Sequence, residues 1–363
     1  MPAPPPSPAQ ESPLDVEELR PRVSKALNAF LATQLDALDE VSPDVDALSE
    51  ATTDLLAGGK RLRPAFCYWG WRGAGGADIE EAIVAATSLE LLQACALIHD
   101  DVMDGSDTRR GMPAVHRRFA SLHRGNSWLG SSEDFGVGAA ILVGDLCLSW
   151  ADQMLMSCGL PTDALLRGKP VYDEMRVELM AGQYLDLLEQ ARGGGSVERA
   201  MRVVRYKSAK YTIERPLHLG AALAGADPAV TAAYSAYGLP LGEAFQLRDD
   251  VLGVFGDPSV TGKPAGDDLR EGKRTVLVAK ALEAASPSQA HLLRTHLGDP
   301  SLDLTGVDAL REVIVDTGAM AEVEAMIEQL AESSLAALSR VDLAAPAADV
   351  LAGLVVAATS RKV

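Results

Sequence analysis

Residues 97–113 read Leu-Ile-His-Asp-Asp-Val-Met-Asp-Gly-Ser-Asp-Thr-Arg-Arg-Gly-Met-Pro. Asp100 and Asp104 stand four apart, so on a helix they project from one face. Asp101 lies three before Asp104 and flanks them. Three carboxylates this close repel one another at neutral pH, and at a helix C-terminus the backbone dipole is already negative. A cation belongs there, and hard oxygen ligands of this kind suit Mg2+ bridging to phosphate. A solvated acidic helix end is the ordinary alternative. Against it, the preceding turns from Leu89 to Ile98 are almost wholly apolar, so the cluster opens onto a buried helix. Arg109 and Arg110 then follow in a Gly-rich loop.

A second cluster repeats the theme. Gln246 lies one turn before Asp249 and Asp250, and the helix carrying them is expected to end at Gly256. The connection that follows holds Lys263, Arg270, Lys273 and Arg274. A long cationic loop here reads as a lid closing over phosphates. It is not a Walker A loop, since Pro264 stands where Ser or Thr is required. Further cations sit in Gly58-Gly59-Lys60-Arg61-Leu62-Arg63-Pro64, where Lys60 and Arg63 share a face at a helix start that favours anions. Lys207 and Lys210 lie in Tyr206-Lys207-Ser208-Ala209-Lys210-Tyr211, among moderately apolar residues. The six histidines, with His99 the first, have no triad partner at motif spacing, and no cysteine has the context of a nucleophile. The chemistry therefore reads as one without an activated side-chain nucleophile.

These groups need a scaffold, and beyond Pro13 the sequence reads as helix after helix. Apolar residues recur at three and four, and Ala, Leu, Glu and Arg fill the rest. Helices are expected near 15–37, 44–57, 62–73, 78–104, 136–158, 170–191, 197–224, 228–254, 274–285, 306–340 and 346–359. Strand signals are nearly absent, with aromatics at 5%. The expectation is an all-α fold, a single large helix bundle around a central cavity over 14–363, after a disordered Pro-rich leader at 1–13. The 363 residues are 47% hydrophobic, ample for a core, and carry a net charge of −18. No basic face invites nucleic acid. A substrate rich in phosphate must be held by local cations or metal ions against the global field. Cys67, Cys95, Cys147 and Cys158 are isolated, which suits a reducing compartment. With no signal peptide visible and no stretch read as apolar enough to span a membrane, a cytoplasmic protein is expected.

The motifs Gly-Gly-Lys-Arg-Leu-Arg-Pro, Asp-Asp-Val-Met-Asp with Arg-Arg, Lys-Ser, Phe-Gln-Leu-Arg-Asp-Asp and Gly-Lys-Pro occur in this order over roughly residues 50–280. As a set they resemble the trans-isoprenyl diphosphate synthases of the polyprenyl synthetase family, which include farnesyl and geranylgeranyl diphosphate synthases. The resemblance implies a Mg2+-dependent condensation of isopentenyl diphosphate with an allylic diphosphate, carried out by a homodimer. It implies that Asp100 and Asp104 bind Mg2+ on the allylic diphosphate with Asp101 in support, and that Asp249 binds a further Mg2+ with Asp250 in its outer shell. Lys60, Arg63, Gln93 and Arg110 would hold isopentenyl diphosphate. Arg109, Lys207 and Lys263 would hold the allylic diphosphate, and Lys273 falls near a second family lysine. Ser208 and Gln246 would line the carbocation region. Three positions depart from the common pattern: Gly253 replaces the last acid of the second motif, Ser208 stands where Thr is common, and Gln93 stands where many bacterial members have His.

Rival readings fail on particular residues. An HD-type phosphohydrolase needs a histidine upstream of His99-Asp100, and none exists. A class I terpene cyclase would carry an Asn/Asp…Ser…Glu metal site in place of Asp249-Asp250 and its lysine lid. A non-catalytic regulatory subunit would be expected to lose one acidic motif. Product length is read from Cys95 and Ala96, five and four residues before Asp100. Short-chain members of the family place bulky aromatics there, whereas both side chains are small here. Geranylgeranyl diphosphate is the expected product, with farnesyl or longer-chain synthesis as the alternative. Leu89, Leu92, Leu142 and Leu146 are candidates for the floor.

Overall fold

The structure is a computed structural model that describes residues 12–257 and 266–359. The leader up to residue 11, Lys263 and the terminal Arg361-Lys362 pair lie outside the described residues. As expected, the fold is all-α. Helix α1 (Leu19–Asp39) and α2 (Asp46–Ala57) lead into α3 (Leu62–Gly73), α4 (Glu80–Asp104), α5 (Val115–Gly125), α6 (Ser132–Met156) and α7 (Thr162–Ala191). The chain continues through α8 (Val197–Val203), a π-helical segment (Val204–Glu214), α9 (Arg215–Ala224) and α10 (Pro228–Phe255). It ends with α11 (Asp267–Glu271), α12 (Val276–Ala284), α13 (Pro287–His296), α14 (Leu304–Asp316), α15 (Ala319–Leu338) and α16 (Ala347–Thr359).

Helix α4 is the axis of the bundle. Alanines 82, 85 and 86 with Ile83, Leu89, Leu91 and Leu92 are all buried, so the helix is apolar nearly all round and α1, α3 and α6 pack against it. Sequence reading expected no membrane-length apolar stretch. In fact α4 and α6 are both long and apolar enough to cross a membrane, and 72% of the apolar window of α4 is buried inside the protein. Its hydropathy is that of a core helix. Helix α10 spans two apolar clusters. Tyr234, Tyr237, Leu241 and Phe245 pack into the larger one around α4, while Leu247, Val251 and Val254 pack with α12, α14 and α15. Arg248 locks this helix in place. Its guanidinium donates to both Glu324 carboxylate oxygens at 2.6 Å, and its Nε donates to the Thr359 carbonyl at 3.1 Å.

Several boundaries differ from expectation. Helix α7 starts eight residues early and runs through Pro170. Leu166, whose carbonyl would have received the missing N–H, is exposed, so water can satisfy it. The expected helix 306–340 is broken at Thr317-Gly318, where Gly318 has a φ of 80°. Helices α5 and α13 were not expected at all. A two-residue hairpin pairs Thr108–Arg109 with Met112–Pro113. Its turn residues Arg110 and Gly111 have φ of 55° and 76°, the mirror-image geometry that closes tight hairpins.

Candidate active site

The last turn of α4 places Asp100 and Asp104 on one face, as their spacing requires. Asp100 accepts hydrogen bonds from Lys207 Nζ at 3.0 Å and Gln183 Nε2 at 2.8 Å. Burial alone would raise its pKa, but Lys207, Lys273 and Arg109 outweigh that and hold it below the usual carboxylate value. Asp104 is the opposite case. Both of its carboxylate oxygens are buried and accept no hydrogen bond. Burial, and then the charge of Asp100, push its pKa up to about 6. Asp101 turns away from this face and binds Arg109, whose Nε donates to it at 2.9 Å.

Lys207 is aimed by two close helix contacts. A Cβ at Gly182 of α7 would lie 2.3 Å from the Lys207 backbone nitrogen, and one at Gly242 of α10 would lie 2.6 Å from Ala209 Cα. Only glycine at both positions lets the π-helical segment nest between these helices. Lys207 then points at Asp100 and Asp186, its Nζ lying 2.6 Å from Asp186 Oδ2. Burial would depress its pKa, but Asp100, Asp186 and Asp104 outweigh this and raise it. Lys210, three residues on, turns to Glu178 at 2.9 Å. Ser208 donates to Gln246, and Gln246 Nε2 donates to Asp250 Oδ1 at 2.8 Å. Asp250 is wholly buried, and burial, with help from Asp268 and Asp249, pushes its pKa up to about 8. Asp249, beside it, is half-buried. A π-helical stretch carrying such residues is a common mark of a functional site.

Lys273 joins the two acidic clusters. Its ammonium lies 2.8 Å from Glu271 and 3.6 Å from Asp268, and it also acts on Asp100, Asp104 and Asp250. Burial would depress its pKa, but Asp268, Glu271 and Asp104 outweigh it and hold it well above the ordinary value. Ser106, just past the first cluster, donates to Glu271 at 3.0 Å and ties the two regions together.

The remaining cations form a second group. The hairpin turn sends Arg110 the opposite way from Arg109. Arg110 donates to the Leu55 carbonyl at 2.9 Å and lies over Gly58 and Gly59, where added Cβ atoms would stand 3.4 and 3.2 Å from its guanidinium. Gln93 lines the same small cavity of about 10 Å³ with Gly58, Arg61, Glu90 and Arg110. Lys60 is exposed. Arg63 stacks over Tyr211 at 4.3 Å and donates to Thr212 Oγ1 at 2.8 Å, which links this group to the Lys207 segment. Ala96 is half-buried one turn below Asp100, whereas Cys95 is buried beside the His99 ring, 3.7 Å from its Nδ1. Leu89 and Leu92 are packed in the core, Leu142 is exposed and Leu146 is half-buried.

Sequence reasoning missed Gln183, Asp186, Glu271 and the buried Arg61–Glu90 ion pair. Gln183 and Asp186 are three apart and share a helix face, but α7 is polar on several sides and nothing set that pair apart.

The site fits Mg2+ in a particular sense. Among the described residues no three acidic, His or Cys side chains converge as a complete metal cage. Mg2+ seldom uses such cages, since it retains waters and takes one or two carboxylates plus substrate phosphates. Asp104, with unpartnered buried oxygens beside Asp100, is that kind of half-site.

The sequence matches the family model described as polyprenyl synthetase over residues 45–314. It is 34% identical over 309 residues to the geranylfarnesyl diphosphate synthase of Aeropyrum pernix, covering 84% of this chain and 91% of that one. It is 31% identical over 291 residues to a geranylgeranyl diphosphate synthase of Mycobacterium tuberculosis, covering 80% and 77%. The crystal structure of a Corynebacterium glutamicum geranylgeranyl pyrophosphate synthase, complexed with isoprenyl diphosphate and magnesium, superposes with a TM-score of 0.91. It is 45% identical and covers 95% of this chain and 99% of that one.

Proposed function

The chain belongs to the polyprenyl synthetase family of prenyltransferases, and from that premise we propose that it condenses isopentenyl diphosphate with allylic diphosphates to give geranylgeranyl diphosphate. The observation that carries the reading is the convergence of Lys207 and Lys273 on the Asp100–Asp104 face, with Asp104 left without a hydrogen-bond donor. Such a face accepts a metal and a polyanion together.

Asp100 and Asp104 would hold Mg2+ at the first cluster and Asp249 at the second, with Asp250 behind it. When bound, Mg2+ supplies charge neutralisation to the diphosphate leaving group. Lys207, Arg109 and Lys273 add fixed positive charge to the same oxygens, and Lys263 belongs to this set by its sequence motif. Their charge is worth most as the allylic C–O bond breaks, because the negative charge is then greatest in a site shielded from water. Lys60, Arg63, Arg110 and Gln93 hold isopentenyl diphosphate so that its double bond faces the allylic carbon. A C–C bond forms and the proton that is lost passes to the departing diphosphate. Ser208 Oγ and Gln246 Oε1 present dipoles toward the cationic region. No side-chain nucleophile is required.

Product length rests on Ala96. It lies one turn, about 6 Å, below Asp100 on the same face, and a side chain this small would not block a growing chain. The exposed outer face of α6, with Phe135, Ile141 and Leu142, is the surface that a second copy would cover in a homodimer. Four unpaired buried cysteines suit a cytoplasmic location. The deciding experiment is diphosphate release from isopentenyl plus an allylic diphosphate, with products sized by chromatography. Asp100→Ala should lower turnover by about two orders of magnitude or more with Mg2+ present. Near-normal turnover in that variant would remove the metal assignment.

A further inference from the structure

The two acidic clusters are built differently. In the first, Asp100 and Asp104 supply an i, i+4 pair from one helix. In the second, Asp249 has Gly253 at the corresponding place, and the helix alone offers no second acid on that face. The structure fills the gap from elsewhere. A Cβ built at Gly253 would lie 1.8 Å from Asp268 Oδ2, 2.4 Å from its Cγ and 3.0 Å from Oδ1. The carboxylate of Asp268 therefore occupies the volume into which a side chain at 253 would begin to project.

We propose that Asp268 is the missing acid of the second metal-binding cluster, delivered from α11 into the place that Gly253 vacates on α10. This rests on the reading of Asp249 as a metal ligand in the proposed function.

The placement of Asp268 is built rather than incidental. Next to it, Leu269 is fully buried in the apolar cluster with Val251 and Val254. The Leu269 carbonyl accepts from Gly298 N–H at 2.9 Å, and Arg270 Nε donates to the Leu302 carbonyl at 2.9 Å. Lys273 N–H closes the turn onto the Asp268 carbonyl at 3.0 Å. Two backbone hydrogen bonds and two side-chain anchors together aim one carboxylate at one spot on α10. A side chain at 253 would have to displace the Asp268 carboxylate from this place.

Asp268 could instead serve only to anchor Lys273, 3.6 Å away. Asp268→Asn separates the roles, because the amide keeps the shape and an oxygen toward Lys273 but loses the charge. The measurement is thermal stabilisation of the full chain by Mg2+ at fixed inorganic diphosphate, read as the Mg2+ concentration for half of the full effect. Asp268→Asn should raise that concentration about 10- to 100-fold, the usual consequence of losing a supporting acid around a metal. Gly253→Asp alone should be destabilised in chelator and gain no affinity. The exchange variant, Gly253→Asp with Asp268→Gly, should return most of the Mg2+ affinity lost in Asp268→Asn. An unchanged Mg2+ requirement in Asp268→Asn would overturn the proposal, as would an exchange variant no better than Asp268→Asn. If wild-type protein itself showed no Mg2+-dependent stabilisation by diphosphate, the proposed function would fail, and this inference with it.

Discussion

Asp104→Asn should make the metal-free protein more stable at pH 7 while leaving it inactive. Burial and Asp100 raise the Asp104 carboxyl from 3.8 to about 6. Between those values the folded state keeps a proton that the unfolded chain has released. Stability therefore falls as pH rises from about 4, and the loss is complete once pH exceeds the folded value near 6. Each pKa unit corresponds to about 1.4 kcal/mol, so a shift of roughly two units costs the wild type up to about 3 kcal/mol at pH 7. Asparagine cannot ionise and escapes that cost. It must still bury an amide, so a net gain of roughly 1–3 kcal/mol is expected. The assay is denaturant unfolding in chelator at pH 4.5 and pH 7.5. The variant's advantage should be larger at the higher pH by about 2 kcal/mol, because roughly a third of the wild-type penalty is already present at pH 4.5. Adding Mg2+ and diphosphate should reverse the order, since the wild type gains binding free energy that the variant does not. A variant less stable than wild type in chelator at pH 7.5, or an advantage that does not widen with pH, would refute the electrostatic account of Asp104.

Arg109→Ala should mainly raise the KM for the allylic substrate and Arg110→Ala that for isopentenyl diphosphate, each by an amount equivalent to roughly 1.5–3 kcal/mol. Steady-state kinetics with each substrate varied in turn test this, and equal effects on both substrates would count against the division made by the hairpin. Ala96→Phe should shift products toward farnesyl diphosphate on chromatography, with diphosphate release from short substrates largely retained. Cys95→Phe should also lose roughly 1–3 kcal/mol of stability in a melt, because Cys95 is packed beside His99 and α6. Gly182→Ala should push the π-helical segment off α7, lowering both the melting temperature and turnover; a variant matching wild type in both would show that this contact does not aim Lys207.

Much of this was readable in advance. The apolar run before Asp100 and the helical periodicity marked the core helix, and the i, i+4 spacing marked the first acidic face. The missed parts share a cause. Helix α13 was announced by a capping box at Ser286 and Gln289, but a short amphipathic segment between loops carries little periodicity. Lys207 was recognisable as a candidate, yet its target was not, because Asp186 and Gln183 meet it only through the close approach at Gly182. The departure at Gly253 looked like a loss, and one sequence position could not reveal that Asp268, fifteen residues later, ends beside it. Arg61 stood in a cationic motif, while its burial against Glu90 depended on the packing of α2 and α4.

The anchoring of Arg248 bears on how the protein is made. The residue next to Asp249 is clamped by Glu324 of α15 and by the carbonyl of Thr359 of α16, so the helix that carries the second acidic pair is restrained by segments made long after it. A ribosome-bound chain that has folded α1 to α7 can already hold the first acidic face on α4. It cannot hold the second in its finished position until residue 359 has cleared the exit tunnel. Domains form from the N-terminus as synthesis proceeds. In that order of synthesis the Asp100–Asp104 face on α4 forms well before the Asp249–Asp250 pair on α10 receives its clamp.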